Sequence, residues 1–420
     1  MKKSDHFHGM SQLNESGERN TQRKIFNLLH LTVPLFMGVV IFLNPFPFST
    51  ATKEICFYGS LFIVLILAGF RKIKFSFRSP LTIPFVLFVL WVSIGLFFAL
   101  DVENSIHDYQ THLLKFMAFY YIVINFFHSR ERLSTLSWII ILSGALFSIG
   151  EIVYFYGLLG NPLSEKLVTG ISEVAVNWVG IVVVPAAVFS LEYLITGDRA
   201  RMKALAAVSL FSTFAICILT QARSTMLALF LSIIILCFRN KKIMIVGLGI
   251  VLIFTTMTSL KDRLTEKDTV LRRLSINYLN CEIIKDYPVL GIGFGMEAYS
   301  GGKYIDLQAY SQRVPEKYRS LSIYSDPHSW PFSIAIRTGL IGLALFLYIL
   351  FVAFRMSWIP IRQKRDDHWG RPLVASFTAI LVIGFFEPFF SHVPEIVFYT
   401  LLAMMTIVWK LSSTNQPHLS

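Results

Sequence analysis

Charge is scarce in this chain. Only 15% of its 420 residues are Asp, Glu, Lys or Arg, where a soluble domain carries about a quarter. With 54% hydrophobic residues and a mean hydropathy of +0.60, an ordinary soluble enzyme is excluded. Acidic residues are the rarer sign, 26 against 38 basic, for a net charge of +12. That excess does not point to nucleic acid. The basic residues fall in short runs between apolar stretches, which is how a membrane protein sets its orientation. Cysteine is rare too. Cys56, Cys217 and Cys237 lie within or at the ends of apolar segments, Cys281 lies elsewhere, and no CxxC or metal-ligand spacing occurs, so neither a disulfide nor zinc is expected. The chain also lacks low-complexity tracts and a clear internal repeat.

Long apolar runs and 38 phenylalanines are what it has instead. A bilayer core needs ~20 apolar residues per helix, and backbone in lipid must satisfy its own hydrogen bonds. Apolar stretches lie near 28–48, 55–70, 80–100, 113–128, 134–158, 174–196, 203–220, 224–238, 243–260, 331–354, 372–390 and 394–410. The expected fold is an all-α polytopic membrane protein of about twelve transmembrane helices. Residues 1–27 are read as a cytoplasmic tail, disordered to about 25, and 28–260 as transmembrane helices 1–9. Then come a large periplasmic loop at 261–330, helices 10–12 at 331–410, and a cytoplasmic tail at 411–420. The first apolar stretch runs into Asn44-Pro45-Phe46-Pro47-Phe48 and is read as a retained helix, not a cleaved signal peptide. Arg71, Lys72, Lys74 and Arg78, then Arg130 and Arg132, then Arg199, Arg201 and Lys203 occupy alternate connections, whereas the intervening short ones carry only Lys53, Lys166 and Arg223. This asymmetry places both termini in the cytoplasm.

The 261–330 connection stands out, because functionless loops are usually short. Val270, Leu271, Leu274, Tyr278 and Cys281 recur at three- and four-residue spacing, with Arg273, Asn277 and Asn280 on another face. The pattern predicts an amphipathic helix lying on the membrane surface. Tyr287-Pro288 ends it. The run Gly291-Ile292-Gly293-Phe294-Gly295 lacks the context of a dinucleotide fingerprint; it reads as a turn that lets backbone approach a ligand.

Several residues in this half could carry chemistry. Arg223, in a tight hairpin on the side poor in basic residues, is either a snorkelling interfacial arginine or a fixed cation that grips phosphate through its bidentate fork. Arg272 and Arg273 are adjacent on the amphipathic helix and read most simply as solvated charges. His328, in Asp326-Pro327-His328-Ser329-Trp330, is either a structural interfacial histidine or a general base suited to neutral pH. Lys115, Glu151, Arg337 and Glu387 lie within or near the ends of apolar stretches, where charges normally face a protein interior. Arg337 is expected to pair with Glu151 or Glu387, most simply as a structural ion pair.

Three of these segments together resemble bacterial O-antigen ligases and polymerases. Leu219-Thr220-Gln221-Ala222-Arg223-Ser224-Thr225 is similar to that family's Thr-x-Ser-Arg segment; Arg273 through Gly295 to its arginine, helix and Pro-x-x-Gly-x-Gly turn; and His328 to Gly342 to its His-Asn-x-x-Leu segment. The chain departs from the pattern in having Asn277 for tryptophan, Ser329 for asparagine, Phe332 for leucine, and Arg337 where the family commonly has glutamate. The resemblance implies an integral-membrane glycosyltransferase fed by an undecaprenyl-pyrophosphate-linked glycan. Arg223 and Arg273 would engage the donor pyrophosphate, and His328 would serve as base for a lipid A–core hydroxyl. Neither metal nor other cofactor is implied. A polysaccharide polymerase and a protein O-oligosaccharyltransferase would use the same residues. A polysaccharide transporter or flippase would more often show repeats and a midplane site. The inner membrane, with the site facing the periplasm, is the expected location.

Overall fold

The computed structural model describes residues 5–171, 176–238, 240–257, 267–319, 326–362, 367–387 and 391–414. The described secondary structure is helical, as isolated apolar segments in lipid require. In chain order the helices are α1 (Asp5–Phe42), α2 (Thr50–Gly69), α3 (Thr82–Leu96), α4 (Val102–Asp108), α5 (Lys115–Phe126), α6 (Arg130–Ile152), α7 (Val176–Thr196), α8 (Ala200–Leu219), α9 (Arg223–Cys237) and α10 (Lys241–Met257). There follow α11 (Lys267–Asp286), α12 (Glu297–Ser300), α13 (Leu307–Arg313), α14 (Trp330–Arg362), α15 (Asp367–Gly384) and α16 (His392–Thr414). A π-helical turn at Tyr109–Leu114 joins α4 to α5, and another at Val153–Leu158 extends α6.

Among the described residues, each apolar stretch of the sequence overlaps one of these helices. Among the described residues, seven helices are long and apolar enough to cross a membrane, and Thr82–Leu96 and Arg223–Cys237 are shorter apolar ones. The amino-terminal boundary differs from expectation: α1 begins at Asp5, far ahead of residue 28. Extending a formed helix adds a hydrogen bond per residue without a new nucleus, so polar residues continue it upstream. Lys2 and Lys3 lie outside the described residues.

Helix α7 occupies the centre, packed by α6, α8, α9 and α15. Its Val179, Val183, Val184, Ala186 and Phe189 are buried. Small residues allow the close approach: a Cβ on Gly144 of α6 would lie 2.5 Å from that of Ala186. A second layer joins α3, α5, α14 and α16 through Phe85, Phe88, Tyr120, Phe346 and Phe398.

At one end of the bundle, residues 267–319 fold back on themselves and build a small core. Leu279, Ile283, Ile292, Tyr299, Ile305 and Tyr310 are buried together with Ile336 of α14. Asp286 accepts hydrogen bonds from Tyr310 Oη and Arg313 Nη1, each at 2.6 Å. We call this the loop end.

Helix α14 is broken where it meets that core. Gly339 has φ 70° and ψ −179°, a conformation essentially confined to glycine. The break frees backbone groups, and the segment before α12 takes them up. Leu340 N–H donates to Pro288 O at 2.8 Å, Ile292 N–H donates to Ile336 O at 2.8 Å, and Trp91 Nε1 donates to Thr338 O at 2.8 Å. The sequence suggests that backbone approaches a ligand at the Gly291–Gly295 turn. It approaches protein instead: a Cβ at Gly291 would meet Ile336 O at 2.4 Å, and one at Gly295 would meet Asn104 Oδ1 at 2.0 Å. The turn therefore locks the loop end onto α14 and the start of α4.

A Cβ at Gly339 would lie 1.8 Å from Val289 O. Gly339→Ala should therefore destabilise by roughly 3 kcal/mol or more, from strained φ/ψ and backbone displacement. Gly249→Ala on α10, where no atom lies within 4 Å, should be neutral or stabilising by ~0.5–1 kcal/mol. Thermal unfolding in detergent compares the two.

Candidate active site

His328 sits immediately before α14 with φ 46°, a left-handed conformation uncommon outside glycine. Several contacts hold it there. Its backbone N–H donates to Asp326 Oδ1 at 2.7 Å, and its Nδ1 stands 3.2 Å from the same oxygen. Asn280 Nδ2 on α11 donates to Pro327 O at 3.1 Å, while Asn280 Oδ1 accepts from Tyr299 Oη at 2.9 Å. Trp330 anchors the other flank, its Nε1 donating to Leu381 O at 3.1 Å. Burial lowers the imidazole pKa from its usual 6.5; the Asp326 carboxylate opposes that shift and the Arg273 charge adds to it.

Arg273 reaches from α11 into the same place. Its Nη1 donates to His328 O at 3.3 Å and to Phe386 O at 2.9 Å, and its Nη2 lies 3.8 Å from Glu387 Oε1. One guanidinium thus ties the segment before α14 to the segment after α15. Its side chain remains 37% exposed. Glu387 belongs to this group, and Arg272 is exposed with none of the described contacts reaching it.

Within the protein, α11 buries a face that the spacing of its apolar residues did not single out. Ile276, Leu279, Asn280 and Ile283 are buried, whereas Leu274, Tyr278 and Cys281 are exposed. The side chain of Val270 lies outside the described residues. The helix is rotated so that Asn280 faces inward, because its amide bridges the His328 segment and Tyr299. Hydrophobic spacing alone carries no sign of that polar bridge. The helix does end before Tyr287-Pro288, as expected.

Arg223 is half-buried as the first residue of α9. Ser232 of α9 donates to Ala375 O of α15. These helices run antiparallel, so Arg223 is level with Gly384 by equal helical rise on both. Gly180 of α7 agrees, since a Cβ there would touch both Thr225 and Ile383. Arg223 therefore lies at the loop end, near the level of Phe386 and Glu387. The first backbone N–H groups of α9 have no intrahelical acceptors, and Ala222 supplies no side-chain cap. A helix N-terminus beside an arginine is suited to an anion.

The remaining expected charges lie elsewhere. Arg337 is buried and pairs with Asp108 of α4, Nη2 to Oδ2 3.0 Å, with its guanidinium 5.1 Å from the Phe294 ring centroid. The expected pairing with Glu151 or Glu387 is thus replaced by one with Asp108. Asp108 also accepts from Met296 N–H at 3.3 Å, so the pair sits where α4, α14 and the glycine turn meet. Glu151 is buried and accepts from Gly170 N–H at 2.9 Å. Lys115 pairs with Glu54 of α2 at 2.5 Å. Sequence reasoning missed Asp108 and assigned no role to Asp326, although Asp326 lies two residues from His328. Asp108 stands 229 residues from Arg337, and no local pattern joins them.

The chain is an α-helical membrane protein with a polar site at one end of its bundle. Residues 207–347 match the family model for O-antigen ligase. The match takes in Arg223, Arg272, Arg273, His328 and Arg337, and leaves out Lys115, Glu151 and Glu387. No curated protein matches the chain.

Removing one member of a buried ion pair costs about 3–5 kcal/mol, because the other is left uncompensated. Asp108→Ala and Arg337→Ala should each lower stability by that order. The double variant should cost well under the sum. Thermal melts of the three proteins check the pairing.

Proposed function

We propose that the protein is a ligase-type glycosyltransferase. It moves a glycan from undecaprenyl pyrophosphate to a lipid A–core hydroxyl at the periplasmic face of the inner membrane, through a bundle of about twelve spans with both termini cytoplasmic. The observation that carries this reading is that Arg273 donates to the backbone carbonyl of His328, so that a cation is tied to the histidine's own segment at the loop end. The O-antigen ligase family match over both residues supports it.

In this mechanism Arg223, with the N-terminus of α9, and Arg273 hold the two phosphates of the donor. The acceptor hydroxyl gives its proton to His328 Nε2 as its oxygen attacks the anomeric carbon. The bond from that carbon to the pyrophosphate oxygen breaks, and its electron pair leaves with the lipid pyrophosphate. Arginine charge offsets the negative charge that grows there, without a metal step. Attack opposite the leaving group inverts the anomeric centre. Asp326 keeps Nδ1 protonated, so Nε2 presents its lone pair. Holding two lipid-anchored substrates at one interface removes much of the entropic cost of their meeting.

His328→Ala should reduce transfer by ~10²–10⁴-fold, the usual contribution of a general base. In cells lacking the native protein, wild type should restore long-chain lipopolysaccharide. The variant, at equal expression, should leave bare core and accumulate lipid-linked polymer. Core bearing a single repeat would identify a polymerase; wild-type behaviour would remove His328 from the mechanism.

The same site sets a pH dependence. Because burial holds His328 below 6.5, the free base predominates at pH 7, and kcat/KM should fall only on acidification below 6.5. The Asp326 carboxylate raises that pKa, so Asp326→Asn should move the acid limb to still lower pH. An unmoved limb would assign it to another group.

A further inference from the structure

A second cluster lies apart from His328, about two turns further along α14 at the level of Arg337. His112 comes from the π-helical turn between α4 and α5, and His392 and Glu395 come from the first turn of α16. His112 Nδ1 lies 2.8 Å from Glu395 Oε2, and the two imidazoles are stacked with centroids 5.0 Å apart. One ligand-capable atom from each of the three residues lies within 4.8 Å of the others. The family match leaves all three outside its bounds.

We propose that His112, His392 and Glu395 bind a divalent transition-metal ion of the zinc class. Two imidazole nitrogens and one carboxylate oxygen are the donor set such ions favour, and three protein ligands leave a fourth position open. Glu395 Oε1 points independently to a missing ligand. It is completely buried, in a residue with 0% exposure, and has no hydrogen-bond partner among the described residues. A buried carboxylate oxygen without a partner is costly, and a metal ion would satisfy it.

The surrounding charges are compatible. Arg337 is already paired with Asp108, and Lys115 with Glu54, which leaves the Glu395 carboxylate to offset a dication. A cavity of about 50 Å³ adjoins His392, lined also by Lys53, Glu54, Lys115 and Phe116. It is large enough to hold a water molecule, which would complete the coordination. His392 is exposed, so an ion can enter without unfolding the bundle. In tetrahedral coordination, zinc–ligand distances of ~2.0–2.2 Å put two ligand atoms about 3.3–3.6 Å apart. Binding therefore draws the widest pair together by roughly 1.2–1.5 Å from the 4.8 Å within which the three atoms lie, a shift that side-chain rotation can supply. The π-helical turn fits this use, since such turns recur at functional sites.

The test is zinc content and affinity in nanodisc-reconstituted protein without an affinity tag. His6 and His8 are replaced by alanine, because two tail histidines could hold zinc on their own. After dialysis against a weak chelator, this protein should retain one equivalent by mass spectrometry, and substituted cobalt should show four-coordinate d–d bands. His392→Ala, at an exposed position, and Glu395→Gln should each weaken zinc binding about tenfold or more while melting like the parent without metal. His328→Ala should keep its full zinc content, so the outcome does not depend on the glycosyltransferase reading. Zinc retained equally by the parent and His392→Ala, or no retained zinc at all, would overturn the proposal.

Discussion

The broken backbone of α14 is the constraint on which the loop end depends. A helix interrupted in a low-dielectric bundle must find partners for its freed groups. Gly339 opens the helix, and the Pro288–Gly295 turn supplies the partners, with Leu340 bonded to Pro288 and Ile336 to Ile292. The approach is close enough that a single Cβ at Gly291 or Gly339 would collide with backbone. The extended chain after α11 is thereby fixed against the helix that begins just after His328. The histidine's position follows from this junction as much as from its own contacts.

Charge is arranged around that junction in two tiers. The inner tier is buried and paired: Arg337 with Asp108, which also holds the turn through Met296. A salt bridge of this kind adds little net stability relative to apolar packing, but it strongly disfavours arrangements in which either partner is alone. Where the resembling family commonly carries a glutamate, this chain has an arginine, and Asp108 supplies the opposite sign from another helix. The outer tier is partly exposed. Arg273 joins two chain segments through Nη1, faces Glu387 with Nη2, and its side chain stays partly exposed. An arginine held by two backbone carbonyls is a pre-organised cation.

The backbone of His328 is held from several sides. Its left-handed backbone is a strained state maintained by Asp326, Asn280, Arg273 and the Trp330 anchor. Such strain persists only where the surroundings over-determine it. Asp326 both accepts the backbone N–H and faces Nδ1, while burial and the neighbouring guanidinium keep the ring neutral near pH 7.

The sequence by itself determined the membrane class, the positions of the apolar helices and the stop at Tyr287-Pro288. Each rests on chemistry local in the chain: the length of an apolar run, the alternation of basic connections, the geometry of proline. It also singled out Arg223, Arg273 and His328, because their motifs are short and contiguous. Only the tertiary structure decided who meets whom. Asp108 finds Arg337 across 229 residues, Glu387 joins Arg273 rather than Arg337, and His112 reaches Glu395 from a different helix. The inward face of α11 was decided in the same way, since burying Asn280 is favourable only when Pro327 and Tyr299 are there to bond it. Periodicity reports how apolar a face is. It does not report which polar groups will have partners, and in a buried polar site the partners decide.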